Sequence, residues 1–499
     1  MFPARPVVAI QLDSEPLSPG TRIAKNATYL LVSDVGVRII TALVAILVAR
    51  YLGPEQYGVL SLALALLGIA AYLTDLGLTP VMIREGTKPG TSIPELLSGT
   101  LRLRLLFAVA TTVVMVLLAW FYYPSATVRT VILVVVLPGI WAGVFRGIGT
   151  GYFQMTQEMQ YVALINAVAA LAGAGMFLLA VLMRWSLPVL SIGYGLSAIV
   201  GGVLGFLLVR RRVAFGGGWH RGLLTGLPAF TLGGGLGLLL PQLGPLLLPH
   251  AAGLEETGFF TAAYRIPAVL LAVPGVVATA FYPQLFAYGA SDRQGHRALS
   301  ARELRLMGSL GLLLAIPTSL HARWIASVVF GAAWVEQGGP ALALLAWMVA
   351  LASVNWPLAD ALTTQGLQVR RAEVQAVAVV VGAGAYWFLG RGWGALGAAG
   401  AALALETVQA LGFLVLNPDV RALVRTGLLS VVVKALILVA LAWAVTWVVG
   451  SGWLGFGLTA AAAGGMVLVM DREIRGYTVQ GMKMIVRRVR AAGVGRGVR

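Results

Sequence analysis

Apolar residues in this 499-residue chain come in long unbroken runs, without the alternation of a helix or strand that keeps one face in water. Runs of spanning length lie at roughly 28–50, 57–83, 104–122, 127–147, 160–183 and 187–209. A polar, glycine-rich stretch follows, from Arg210-Arg211-Arg212 through Gly216-Gly217-Gly218 to Arg221. Eight more runs lie at roughly 223–249, 257–287, 305–322, 339–363, 372–390, 393–416, 428–449 and 452–470. A helix of about 20 residues that is apolar on every side crosses a bilayer. The ten-residue alternating segments of a membrane barrel are absent. The pattern therefore predicts an all-α integral membrane protein of about 14 transmembrane helices, two sets of six plus two.

Composition agrees with this reading. Only 11% of residues are charged and 59% are hydrophobic, whereas a soluble domain carries about 25% charged residues. The net charge of +17 would suggest nucleic acid if the basic residues formed a folded domain. They fall instead in the connections between runs. With the amino terminus inside, most of the 36 Lys and Arg lie on the cytoplasmic side, as the positive-inside bias requires. Arg84, Lys88, Arg102, Arg104, Arg146, Arg210 to Arg212 and Arg293 to Arg305 are among them. Both termini are then cytoplasmic, and no nucleic-acid partner is expected. The expected organisation is a tail over 1–27, an N-lobe over 28–209, a basic linker over 210–222, a C-lobe over 223–416, a helix pair over 428–470 and a basic tail over 471–499. The last segment mixes Met482, Met484, Ile485 and Val486 with Lys483, Arg487, Arg488 and Arg490. It reads equally as a patch lying on anionic lipids or as a simple stop signal. Cysteine is absent, and the four histidines are scattered, so no metal or cofactor is expected.

One short pattern occurs twice. Gly53-Pro54-Glu55-Gln56-Tyr57-Gly58 and Gly253-Leu254-Glu255-Glu256-Thr257-Gly258 share G-x-E-x-x-G, and each stands between two runs. Six runs separate the copies, an even number, so the halves have the same orientation. Parallel repeats of this kind enclose a cavity around an axis along the membrane normal.

The stretch Ala49-Arg50-Tyr51-Leu52-Gly53-Pro54-Glu55-Gln56-Tyr57-Gly58, running on to Asp75-Leu76-Gly77-Leu78, resembles the opening signature of the polysaccharide (Wzx-type) flippases. Ala262-Ala263-Tyr264-Arg265-Ile266-Pro267 with Phe281-Tyr282-Pro283-Gln284-Leu285 is similar to the eighth helix of that family and of the related lipid II flippases. Gly394-Ala395-Leu396-Gly397-Ala398-Ala399 resembles a small-residue helix late in the second lobe. The resemblance implies the fold of the multidrug/oligosaccharidyl-lipid/polysaccharide exporters. It also implies a lipid-linked oligosaccharide as substrate, an inner-membrane location, and polysaccharide assembly proteins as partners. Arg50, Gly53, Glu55, Gly58, Asp75 and Gly77 are the signature positions, and the motif match places Arg265 on the cavity wall.

Ionisable groups inside the runs carry the chemistry. A charge at the bilayer centre costs at least about 2.5–3.5 kcal/mol on insertion scales, so it must face water or a partner. Arg38 lies about 15 Å into the first run at 1.5 Å per residue, one turn after Asp34, which can pair with it. Arg265 has no carboxylate three or four positions away. Guanidinium groups match phosphate oxygens with a fork of donors. Arg38, Asp34 and Arg265 are therefore the expected cargo-binding residues. Glu406, beside Gln409, and Asp360 are candidates either for ion coupling or as counter-ions of arginines elsewhere, and Lys434 is expected to snorkel to the interface.

A flippase for a polyprenyl-pyrophosphate-linked oligosaccharide fits these features best. No G-x-x-x-x-G-K-[ST] loop is present, so energy would come from a gradient or from downstream consumption. Lipid II flippases and organic-cation exporters of the same superfamily are alternatives, the latter calling for an acidic cavity. A membrane glycosyltransferase is disfavoured, because no two aspartates lie within two residues of each other, as D-x-D requires.

Overall fold

The computed structural model describes residues 19–225, 227–471 and 475–476, with side chains from Gly36 onward apart from 221, 228–230 and 232–234. Most of the two expected tails, and the Asp34 side chain, lie outside the described residues. The described chain is helical throughout, with no strand. Its first half comprises α1 (Pro19–Asp75), α2 (Leu78–Gly86), α3 (Ile93–Tyr122), α4 (Ala126–Met155), α5 (Met159–Leu182) and α6 (Leu187–Arg210). The second half comprises α7 (Leu227–Leu239), α8 (Leu243–Ala251), α9 (Leu254–Leu270), α10 (Ala272–Ser291), α11 (Arg293–Leu320), α12 (Ala322–Val329), α13 (Val335–Thr364) and α14 (Gln368–Val415). A short α15 (Val420–Leu423) leads to the closing pair α16 (Leu429–Val449) and α17 (Trp453–Met470), which packs on α11.

Where two apolar runs were expected, the chain often makes one joint of a residue or two. In α1 the joint is Gly53, at φ 77° and ψ 172°. A β-carbon would be strained there, and the following proline has its φ set for starting a helix. In α14 the joint is Trp393-Gly394, with Gly394 at φ 55°. The seventh run breaks at Leu240–Gln242, around Pro241. The eighth breaks at Leu271, which places Pro274 in the first turn of α10, where no helical hydrogen bond is lost. Three helices, α1, α3 (from Ile93) and α11, begin well before hydrophobicity alone suggests. Helix α1 starts at Pro19, inside the expected tail, because proline suits a first turn. Helix α11 starts at Arg293, where the Asp292 carboxylate accepts from the Gln294 and Gly295 amides at 3.0 and 2.9 Å.

The sequence repeat is the point where the halves meet. Gly253 repeats the Gly53 backbone, at φ 97° and ψ 173°. Helix α1 then packs along α9. A β-carbon on Gly58 would collide with the Leu254 carbonyl, and one on Gly258 with the Pro54 carbonyl. Three positions further along, the Thr261 hydroxyl donates to Ser61 Oγ at 2.9 Å, and both are buried. These reciprocal contacts mark a pseudo-two-fold axis, and only glycine allows backbones so close.

Candidate functional site

Behind this crossing lies a cavity of about 470 Å³. The N-lobe supplies nearly all of its wall. Helix α1 contributes Val37, Thr41, Ala45 and Val48 before its joint and Tyr57, Leu60, Leu64 and Leu67 after it, a stripe at helical spacing. Small residues of α4, α5 and α6 line the rest, and Arg265 of α9 is the contribution of the C-lobe.

Among the described residues, two guanidinium groups reach this space, Arg265 and Arg146 of α4, and no carboxylate lines it. Arg265 is half-buried, and its Nε–H donates to the Tyr57 hydroxyl across the lobe boundary at 3.1 Å. Arg146 is exposed to the cavity. Tyr194 stands within electrostatic range of both, its ring stacked on Phe177 with centroids 4.3 Å apart. Asn166 of α5 adds a neutral polar group. The walls thus offer fixed positive charge and donors in an otherwise apolar chamber, an arrangement that receives an anion.

Arg146 corrects its sequence assignment to a connecting segment. Helix α4 continues to Met155, well past the expected end at 147. Gly139, Gly143, Gly147 and Gly151 repeat every four residues through this region, a signal that the helix goes on. Arg104, also assigned to a connection, is buried inside the N-lobe. It is ion-paired with Asp75 and donates to Thr79 Oγ1 at 2.6 Å, and Thr79 in turn donates to Asp75 at 2.6 Å. A β-carbon on Gly147 would strike this guanidinium. Asp75 of the signature therefore holds a buried arginine directly behind the wall.

Arg38, expected on the wall, is not among the lining residues. It is exposed, one step round α1 from the stripe of Val37 and Thr41. Depth in the membrane could be read from the sequence, but the direction of the side chain depends on where the neighbouring helices pack. Arg50 and Glu55 are exposed around the Gly53 joint, away from this cavity. Gly77, at φ 81°, starts α2.

The expected coupling candidates lie elsewhere in the C-lobe. Half-buried Glu406 accepts from Asn355 Nδ2 at 2.6 Å and from Gln409 Nε2 at 3.5 Å. Asp360 stands 3.6 Å from Arg371 of α14. Lys434 does not snorkel. Its ammonium is buried, 2.6 Å from Asp471 and 3.0 Å from Ser309 Oγ, because α11, α16 and α17 close around it. No group of three potential metal ligands exists among the described residues.

The lobes are also joined at the end opposite the Gly58–Gly258 crossing. Thr231 of α7 donates to the Leu76 carbonyl at 2.7 Å and accepts the Tyr72 hydroxyl at its own carbonyl, and Arg84 donates to the Thr225 carbonyl.

Two like-oriented helical lobes enclosing a cavity form the fold seen in transporters of the MOP superfamily. The structure superposes on a lipid II flippase, MurJ, in an inward closed conformation, with a TM-score of 0.73 at 10% identity, covering 90% of this chain and 99% of that one. It also superposes on an inward-facing multidrug resistance MATE family transporter, with a TM-score of 0.62 at 16% identity over 78% of this chain and 96% of that one. A third similar structure is a MOP superfamily transporter from Pyrococcus furiosus, described as having reversed polarity of its binding pocket. Its TM-score is 0.58 at 15% identity, over 83% of this chain and 99% of that one. A sequence comparison with curated proteins gives no match. Residues 23–288 match the model of the polysaccharide biosynthesis protein family, and the chain belongs to that family.

Proposed function

We propose that this protein is a flippase that carries polyprenyl-pyrophosphate-linked oligosaccharide across the cytoplasmic membrane by alternating access, for surface polysaccharide synthesis. The observation that carries this reading is the cavity in which Arg146 and Arg265 face the interior with no carboxylate lining it among the described residues. A pyrophosphate brings negative charge that is costly to move through a low-dielectric region, and preplaced guanidinium groups offset that cost. Arg265 also touches both lobes through Tyr57, so cargo held there would sense their relative movement.

The same polarity argues against an organic-cation exporter, whose cargo would meet repulsion. Lipid II presents the same pyrophosphate, so the charge of the cavity suits either cargo. Reconstitution into vesicles with a fluorescent polyprenyl-pyrophosphate oligosaccharide tests the reading. Wild-type protein is expected to expose the probe to an outside quencher. Arg265→Ala and Arg146→Ala are expected to abolish this at normal expression, and Arg265→Lys to retain part of it. Unchanged flipping in both alanine variants, or efflux of organic cations by the wild type, would overturn the proposal.

A further inference from the structure

A second cavity, of about 640 Å³, lies beside the Gly53 joint, at the end of the N-lobe away from the Arg84–Thr225 contact. On the positive-inside assignment of the basic connections, this end faces outward. Its wall carries Trp185, Glu55 and Gln56, and the hydroxyl-bearing Ser125, Thr127 and Ser186. The five polar residues are exposed, and Trp185 is half-buried. Among the described residues, no basic side chain lines this cavity. It shares no lining residue with the chamber of Arg146 and Arg265.

The turn that presents Trp185 is fixed on several sides. Its amide donates to the Ala180 carbonyl at 2.9 Å and the Arg184 amide to the Val181 carbonyl at 3.3 Å, ending α5 with Arg184 in the left-handed region at φ 53°. The Tyr51 hydroxyl of α1 donates to the Trp185 carbonyl at 2.9 Å. The indole lies against Gly193 of α6, where a β-carbon would come within 3.1 Å of the ring. The C-lobe fills the equivalent corner. The 200-residue repeat sets Gln56 against Glu256, and run order sets α5 and α6 against the two halves of α14. There the Glu256 carboxylate accepts from the Ala395 amide at 2.6 Å and packs on Gly394. In the N-lobe, Gln56 and Ser186 instead line open space. The same corner is sealed in one lobe and open in the other.

We propose that this cavity binds a neutral saccharide. A sugar ring has C–H faces that cover an indole, and hydroxyls that both donate and accept. The wall answers both: Trp185 supplies the ring, Gln56 and the three hydroxyls donate and accept, and the Glu55 carboxylate accepts. A concave site with an aromatic anchor and a few polar groups, in the range of about 300–1,000 Å³, suits a small ligand. An anion would meet Glu55 and no cation, and a lipid tail would leave polar groups unpaired. Sugar binding stands on this cavity alone. Two sources supply such a ring, the glycan of exported cargo or finished polymer outside, and the first rests on the function proposed above.

The test presents full-length protein in nanodiscs to an array of bacterial repeat-unit oligosaccharides that carry neither lipid nor phosphate. Wild type is expected to hold neutral members, and to hold uronic-acid members less well because of Glu55. Trp185→Ala should weaken binding about tenfold or more and Gln56→Ala about threefold, while Glu55→Gln should admit the uronic acids. Gln56 is exposed, so its variant decides the matter should Trp185→Ala fail to fold. No array binding by wild type, or unchanged binding in both alanine variants, would overturn the proposal. Tetraethylammonium bound at these residues in place of sugar would equally overturn it. Array binding involves no pyrophosphate, so it can fail while flipping persists and hold while flipping fails. With binding shown, a flipping rate lowered in Gln56→Ala assigns the sugar to the cargo, and an unchanged rate assigns it to polymer outside.

Discussion

The two lobes share a backbone plan but place their charges differently. In the N-lobe, Arg146 faces an open cavity, and the one acidic signature residue near it, Asp75, is turned behind the wall to hold Arg104. In the C-lobe, carboxyl groups dominate the interior: Glu406 is held by amides, Asp360 lies beside Arg371, and Glu303 is unpartnered. At the crossing where both halves use the same motif, the contacts are reciprocal to the residue. The two halves thus share the joint, where backbone contact tolerates one solution, and differ in their interiors, where side chains alone decide.

The largest effects should come from breaking the buried pair of each half. Lys434→Met removes the buried ammonium that faces Asp471, with the two side chains 4% and 9% exposed. A loss of about 3–5 kcal/mol is expected, read as a fall in melting temperature in nanodiscs, and Asp471→Leu added to it should restore much of the loss. Asp75→Ala should cost less, near the lower end of the same range of about 3–5 kcal/mol, because Asp75 is 27% exposed. An equal or larger loss at Asp75 would show that the N-lobe pair carries more than packing. Next come Gly58→Ala and Gly258→Ala. Overpacking costs about 1–3 kcal/mol, and the reciprocal geometry predicts nearly equal losses. Size-exclusion profiles after heating would check this, and a large disparity would break the symmetry argument.

Charge divergence is sharpened by transport. Arg146→Gln and Arg265→Gln should each reduce flipping at least about tenfold, roughly 1.4 kcal/mol of cargo stabilisation. Arg38→Gln, off the lining, should change it less. The smallest effect is expected for Gln409→Leu. Its bond to Glu406 is long at 3.5 Å, and a typical hydrogen bond contributes only about 0.5–1.5 kcal/mol. A loss of flipping in this variant would move Glu406 from scaffold to transport.

Arg265 was legible because a charge interrupting an apolar run stands out, and its motif fixed its setting. Arg146 was not, since it fell where the fourth run seemed to end and its helix continues on glycines that carry little hydropathy. The role of Asp75 was hidden because its partner lies 29 residues away. Lys434 looked free to reach the interface until α11, α16 and α17 enclosed it. Arg38 showed its depth but not its direction.

A helix in hydrocarbon satisfies its own backbone, so run lengths, joints and the repeat were written into the local sequence. Which side chains share a chamber, and which charges meet, depends on how helices distant in the chain rotate against one another. That rotation was settled by contacts such as Gly58 on Leu254 and Gly258 on Pro54, which no local stretch of residues encodes alone.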